Sequence, residues 1–240
     1  MESPTLIMKL TLFFVLCSSL SGNNPFEVGE LLHYNASFGG VPAANAKLEV
    51  IGKEKINGVK TYHVQFTAKS KGLTHYLFPI NDRIDLWLSE DSLFTIKESL
   101  SIKEGSYERS QEMFFNHLSG HVVVKNDTFK INKGTQSPYS LFYYFRNKNI
   151  ANMKVDTLNT IQGRKILPLS ILIEEDIETV VPAGKFLCTR VTPIRTNKKN
   201  FKNKAQMSML FSKDKHQYPV KIWLKLKYGS LVLELENIVN

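Results

Sequence analysis

Few residues in this 240-residue sequence have the type and spacing that chemistry would need. His117 and His121 stand four apart, the spacing at which two imidazoles on one helix face can share a zinc ion. Gly120 followed by Val122, Val123 and Val124 instead reads as a turn entering a strand, and no third ligand lies nearby in sequence. The acidic run 174-EEDIE-178 puts Glu174, Asp176 and Glu178 on one face of an extended segment, and clustered carboxylate oxygens are what Ca²⁺ takes. Like charges along an exposed strand edge, which discourage pairing with other chains, explain the same run and are the preferred reading. Cys188, beside Phe186 and Leu187, reads as a small buried hydrophobe and not a nucleophile. Neither G-x-S-x-G nor H-E-x-x-H occurs, so no catalytic residue, metal or cofactor is assigned.

Two other groups of residues point to structure and to binding. Arg146 follows an aromatic run, and a guanidinium there is costly to bury without a carboxylate partner. The expected pair joins Arg146 to Asp82, or to Asp85, and anchors a helix to a sheet. The run Phe142, Tyr143, Tyr144, Phe145 faces several directions around that helix at once. Phe142 and Phe145, together with Trp87 and Trp223, are therefore the candidate ligand-binding residues, suited to an acyl chain or another amphiphile; the competing reading sandwiches the helix between sheet and loops. Between Lys185 and Ser230 there are twelve Lys or Arg and one acid, Asp214, in a chain of net charge +9. Its densest part, Arg195, Lys198, Lys199, Lys202 and Lys204, is a candidate basic surface for an anionic membrane or an acidic polymer, against the plainer reading of a solvated loop.

The elements that must position these residues begin after residue 21. Lys9 precedes the apolar run Leu10 to Leu16, which small and polar residues end; that is the order of a signal peptide, with cleavage at Gly22 and Met8 as a plausible true start. Acylation at Cys17 is the rival outcome, ranked second because Leu16 stands where a small residue is expected. Export makes nucleic acid a poor partner, and the periplasm, with outer-membrane association as an option, is the expected location. From Gly22 to Asn240 a single domain is expected. With Cys188 alone left after cleavage, no intramolecular disulfide is available.

Strand signals dominate the rest. In 59-VKTYHVQFTAK-69, Tyr62, Val64, Phe66 and Ala68 alternate with Thr61, His63, Gln65, Thr67 and Lys69, a dry face against a wet one. Asn57-Gly58 supplies the positive φ angles of a tight hairpin turn to the strand near residues 46–52. The same alternation recurs over 218–228, where Gly229-Ser230 is read as the turn into 231–239. Further strands are expected near 31–38, 83–89, 93–102, 106–115, 121–125, 127–131, 156–163, 170–175, 185–194 and 205–212. The predicted helix is 138–148, with Ser137 as N-cap and Pro138 at its first position; 70–80 is read as a second short helix or a loop. The fold class is mainly β: a curved antiparallel sheet, as a half-barrel, open barrel or sandwich, with one or two short helices.

Several of these residues, taken in order, resemble the exported DUF3108 family of unknown function: Phe26, Gly29-Glu30, Tyr34, Asp82-Arg83, the aromatic helix ending in Arg146, 181-VPAGKF-186, Ser212, Asp214, 219-PVKI-222, and Gly229-Ser230 before 233-LEL-235. The resemblance implies export and a β-rich fold, and no reaction. Pro138-Tyr139 departs from it, standing where the family usually has an acidic residue. A looser likeness to the curved half-barrels of lipoprotein carriers is one of architecture. The expected function is a non-enzymatic envelope binding, carrier or assembly factor for a lipid, acyl chain or lipoprotein segment, with an interaction protein of the envelope as the alternative.

Overall fold

The computed structural model describes residues 24–148, 150, 157–195, 207–226 and 229–239. Among these, fourteen strands form one antiparallel sheet. They are β1 (Leu31–Phe38), β2 (Val41–Ile56), β3 (Val59–Ser70), β4 (Asn81–Ser89), β5 (Thr95–Glu104), β6 (Tyr107–Asn116), β7 (His121–Val124), β8 (Asp127–Lys130), β9 (Leu158–Gln162), β10 (Lys165–Val181), β11 (Gly184–Arg195), β12 (Met207–Ser212), β13 (Pro219–Leu226) and β14 (Gly229–Val239). Each expected strand is present. Asn57 and Gly58 turn β2 into β3 with φ of 48° and 84°, the backbone a two-residue hairpin of matching twist requires. Gly229 and Ser230 belong to β14 and are not the turn: Leu226 already pairs with Gly229.

The strand order β8-β7-β6-β5-β4-β3-β2-β1-β14-β13-β12-β11-β10-β9 is a meander closed upon itself, because β1 pairs with β14. The one break in the circle lies between β8 and β9, and the chain segment that joins these strands also bridges them. Gln136 N donates to Asn159 O and accepts Ile161 N at its carbonyl. Met113, Phe115, Val122 and Ile131 pack with Ile161 across the gap, and Arg164 pairs with Asp127. A sheet of this size must curl, and here it curls until its edges nearly meet.

Since neighbouring strands alternate in direction, the connections divide between two ends. The turns β1–β2, β3–β4, β5–β6 and β13–β14 lie at one, which carries helix α1 (Gly72–Leu77); the turns β2–β3, β4–β5, β6–β7 and β12–β13 lie at the other, with helix α2 (Leu141–Arg146). A 3-10 turn over Pro138–Ser140 precedes α2, and Ser137 Oγ accepts Tyr139 N at 3.1 Å. The cap is the one expected; the α-helix is shorter, ending at Arg146. So short a helix draws its stability from packing and not propensity, and five of its six residues are buried. In α1, by contrast, no residue is buried.

Interior faces follow the alternation. Leu32, Tyr34 and Ala36 of β1, Val64 of β3, Ile84, Leu86 and Leu88 of β4 and Val220 and Ile222 of β13 share one core with Phe142, Tyr143, Phe145 and Phe211. The outer face of β3 departs from expectation: Thr61 and His63 are buried as well, because side chains of β2 and β4 close over them. The acidic run lies within β10, which bulges between Glu174 and Ile177. β9 pairs only with Lys165–Leu169, so beyond Leu169 the described partner of β10 is β11 alone, an edge as expected. Its acids meet cations: Glu174 pairs with Arg190 at 3.0 Å, Glu175 and Asp176 with Lys213, and Glu178 with Lys185.

Candidate functional site

At the α2 end, Arg146 is sequestered. Its Nη1 lies 2.5 Å from Glu30 Oε1 and its Nη2 2.7 Å from Glu30 Oε2, a two-pronged pair with both partners almost wholly buried. Nε and Nη2 also donate to His216 O, and Nη2 to Pro25 O. The rings of Phe26, Tyr143 and Tyr218 surround the guanidinium at 5.2–5.6 Å. Burial opposes its charge, but the hydrogen bonds and charge of Glu30 outweigh that and raise its pKa. The anchor is therefore real in kind but differs in partner from the expected Asp82 or Asp85. Both lie on β4, away from this corner: Asp82 accepts Lys103 N at 2.9 Å, and Asp85 accepts from His63, Gln65 and Arg83 on the outer face.

A polar cleft of ≈ 400 Å³ lies against this anchor, lined by Arg146, Lys148, Ser212, Asp214 and Gln217 among others. Its polar groups serve the fold: Ser212 Oγ accepts Tyr218 N, Asp214 Oδ1 accepts His216 N and Gln217 N, and Gln217 Nε2 donates to Arg146 O. Tyr34 OH donates to Pro219 O at 2.8 Å and joins the same corner to β13.

Phe142 and Phe145 do not line a binding surface. Phe145 is fully buried and meets Phe211 edge-on at 6.2 Å; Phe142 is buried in the same core, which is the sandwiched-helix alternative. Trp87 lies on the outer face, stacked on His63 at 4.5 Å, with Nε1 donating to Glu54 Oε2 and Lys97 Nζ over its ring. Trp223 sits under Arg190 and Lys221. Phe142 and Phe145 thus share the core while Trp87 and Trp223 occupy two other environments, because strand alternation sets a face and not a neighbour. Lys198, Lys199, Lys202 and Lys204 lie outside the described residues; Arg195 ends β11.

Several other titratable groups are engaged in the fold. His63 sits between two carboxylates, Nδ1 3.1 Å from Glu54 and Nε2 2.9 Å from Asp85. Burial works against the Asp85 charge, yet the hydrogen bonds of His63, Arg83 and Gln65 hold its carboxyl well below the usual range. His117 uses both nitrogens, Nε2 toward Thr95 O at 2.8 Å and Nδ1 accepting Gly134 N, so it ties β5 to the bridging segment. Glu98 of β5 is buried, accepts the Ser137 hydroxyl, and is pushed by burial up to about 7. Asp82 rises to about 6, first through burial and then through Glu104. Burial and, secondarily, Asp214 push the Cys188 thiol up to about 11. Iodoacetamide at pH 8 is accordingly expected to leave Cys188 unmodified in the folded protein and to alkylate it in urea, read on its peptide by mass spectrometry; rapid alkylation of the folded protein would overturn its assignment as an inert core residue.

The opposite end carries the apolar feature that the sequence reading passed over. A cleft of ≈ 380 Å³ lies between α1 and the start of β2, lined by Val41, Pro42, Lys71, Leu73, Thr74 and Leu77 among others. Leu73, Tyr76 and Leu77 recur at helical spacing in a segment that breaks strand alternation, and this was the available signal.

The sequence matches the family described as "Protein of unknown function (DUF3108)" over residues 33–236. The chain belongs to the DUF3108 family. No curated protein matches it. Among solved structures, a β-barrel-like DUF1849 protein from Brucella abortus is similar with a TM-score of 0.55 and 13% identity, covering 88% of this chain and 97% of that one; this supports the curled-sheet fold. A candidate lipoprotein from Parabacteroides distasonis aligns with a TM-score of 0.41 and 11% identity, covering 89% and 96% of the two chains. Of the residues that carried the DUF3108 resemblance, Phe26, Glu30, Tyr34, Arg146, Ser212, Asp214 and Pro219 converge at the α2 corner. There they tie α2 and the residues before β1 to the β12–β13 turn, so this part of the DUF3108 pattern serves the fold. Where an acidic residue was expected before the helix, this DUF3108 chain has Pro138-Tyr139, and the carboxylate beside the helix start is Glu98 of β5.

Proposed function

We propose that this protein is an exported, non-enzymatic binding factor of the cell envelope that holds the acyl part of an amphiphile, a lipid or a lipoprotein segment, in the cleft beneath α1. The observation that carries this reading is the cleft itself, open to solvent, lined mainly by apolar side chains and edged by Lys71. Its volume falls within the roughly 300–1,000 Å³ of small-molecule pockets. An ammonium at the rim of an apolar slot suits a chain with an acidic head. Export rests on the order of charge, apolar run and small residues before Gly22, which lies outside the described residues. The full engagement of His63, His117 and Cys188 in the fold favours binding over catalysis. Burial of Phe142 and Phe145 moves the binding place from the sheet interior to its end, and also favours the alternative of an envelope interaction protein.

Native mass spectrometry of protein purified from a bacterial envelope tests the reading. Lipid-sized adducts released by denaturation are expected. Leu77→Asp should reduce their occupancy roughly tenfold or more, since burying a Leu side chain contributes about 1.5–3 kcal/mol that Asp forfeits. A clean apo mass under gentle conditions would sink the acyl-binding reading.

A further inference from the structure

The α1 end presents apolar side chains that the fold does not use. Leu73 is 73%, Tyr76 83%, Leu77 75% and Phe78 49% exposed, and from adjoining turns Val41 is 64% and Tyr107 53% exposed. Scattered surface leucines need no explanation, whereas a cluster at one end of a molecule marks an interaction site. We propose that this end docks on an anionic phospholipid bilayer, with Leu73, Tyr76 and Leu77 entering the interface and the surrounding cations facing the headgroups.

Charge complementarity selects this occupant. From Lys69 to Ile80 the chain carries Lys69, Lys71 and His75 and no acid. Arg195 ends β11 and Lys225 is the penultimate residue of β13 at the same end of the sheet, and Lys165 begins β10 there. The described acids at this end are few and mostly engaged: Glu108 pairs with Lys103, Asp127 with Arg164, and Asp82 is buried against Lys103 N; Glu104 is half-buried. The apolar side chains sit on α1 and on the first residues of β2 and β6, and an apolar face bordered by Lys is what lies in the plane of an anionic membrane interface. Tyr76 and Tyr107 bring the amphipathic rings favoured at membrane interfaces. The inference goes beyond the acyl-binding reading, since docking requires no bound ligand; the cleft's mouth at this end would give an acyl chain a short route from the bilayer.

The test is flotation of the envelope-purified protein with vesicles of phosphatidylglycerol and phosphatidylcholine, against phosphatidylcholine alone. Binding to the anionic vesicles that weakens as salt is raised is expected. Leu73→Asp/Leu77→Asp should reduce it tenfold or more, and Lys69→Gln/Lys71→Gln should narrow the preference for anionic vesicles. Leu118→Asp, which alters a side chain 97% exposed at the opposite end, should bind as the wild type does. A second readout is independent of that loss: Leu77→Trp should shift its emission to the blue on adding anionic vesicles, and Leu118→Trp should not. Absence of vesicle binding, equal losses from both Leu→Asp changes, or equal shifts from both tryptophans would overturn the proposal, as would a second copy of the chain covering this end in the absence of vesicles. Docking without lipid adducts in native mass spectrometry would sink only the acyl-binding reading, and adducts without docking only this one.

Discussion

Arg146→Met is expected to lower the folding stability by about 3–5 kcal/mol, because it leaves the Glu30 carboxylate buried with no compensating charge. The carbonyls of Pro25 and His216 lose their donor at the same time. At roughly 2–4 °C per kcal/mol for a domain of this size, the melting temperature should fall by about 10 °C. Glu30→Gln should also destabilise, by stranding the guanidinium among Phe26, Tyr143 and Tyr218. The double change Glu30→Gln/Arg146→Met should recover part of the loss, since it removes both buried charges. Asp82→Asn leaves the anchor intact and should cost far less. Thermal and urea unfolding of the four variants decide the matter; an unchanged melting temperature in Arg146→Met would refute the anchor.

The anchor shows where the sequence was readable and where it was not. That Arg146 would need a carboxylate follows from the residue type and its aromatic flank alone. Which carboxylate it finds depends on how the meander closes: Glu30 is 116 residues away and becomes a neighbour only because β1 pairs with β14, which brings the residues before β1 to the corner where α2 ends. Alternation reads the strands individually, which is why 59–69 and 218–228 were legible, but it carries no information on strand order. The same limit separated Phe142 and Phe145 from Trp87 and Trp223. His63 was misread as wet because burial on an outer face is set by long side chains of neighbouring strands, here Glu54 and Trp87, and not by its own position in the pattern.

The helix at the far end is one of the two alternatives offered for 70–80, but its apolar face goes unassigned for a different reason. A six-residue stretch gives too few turns for periodicity to declare itself, and the flanking Lys71 and Pro79 read equally well as loop. Its signal lay in an inconsistency between levels: Leu73, Tyr76 and Leu77 form an apolar face that the fold leaves exposed, and such local disagreement with the packing rule is where function is expected to sit. The α2 end shows the converse. There an aromatic run that looked like surplus surface is consumed by the core, and Ser212, Asp214 and Gln217 of the adjoining cleft close a turn or cap the anchor.

Glu98 should make this protein less stable at pH 8 than at pH 5. Burial pushes its carboxyl up to about 7, with the Ser137 hydrogen bond and the Arg109 charge acting in the opposite sense, against an ordinary value of 4.5. Between those two values the folded protein holds a proton that the unfolded chain releases. The stability this contributes is complete below the unfolded value and is lost as pH rises through the folded one. At about 1.4 kcal/mol per unit, the loss between pH 5 and pH 8 is about 2–3 kcal/mol. Glu98→Gln should remove most of that slope while keeping an acceptor for Ser137. Asp82, raised to about 6, contributes in the same sense at lower pH and should leave a smaller residual. His117, whose value burial lowers, acts oppositely: its contribution is present above the ordinary histidine value and is lost as pH falls toward the folded one. The comparison that isolates Glu98 is therefore the difference in urea midpoint between wild type and Glu98→Gln at pH 5 and at pH 8. A difference that stays constant across that range would mean that Glu98 is not the group that titrates. A Glu98→Gln variant that gains on the wild type as pH rises would place the proton on Glu98, against the start of the helix that plugs the sheet.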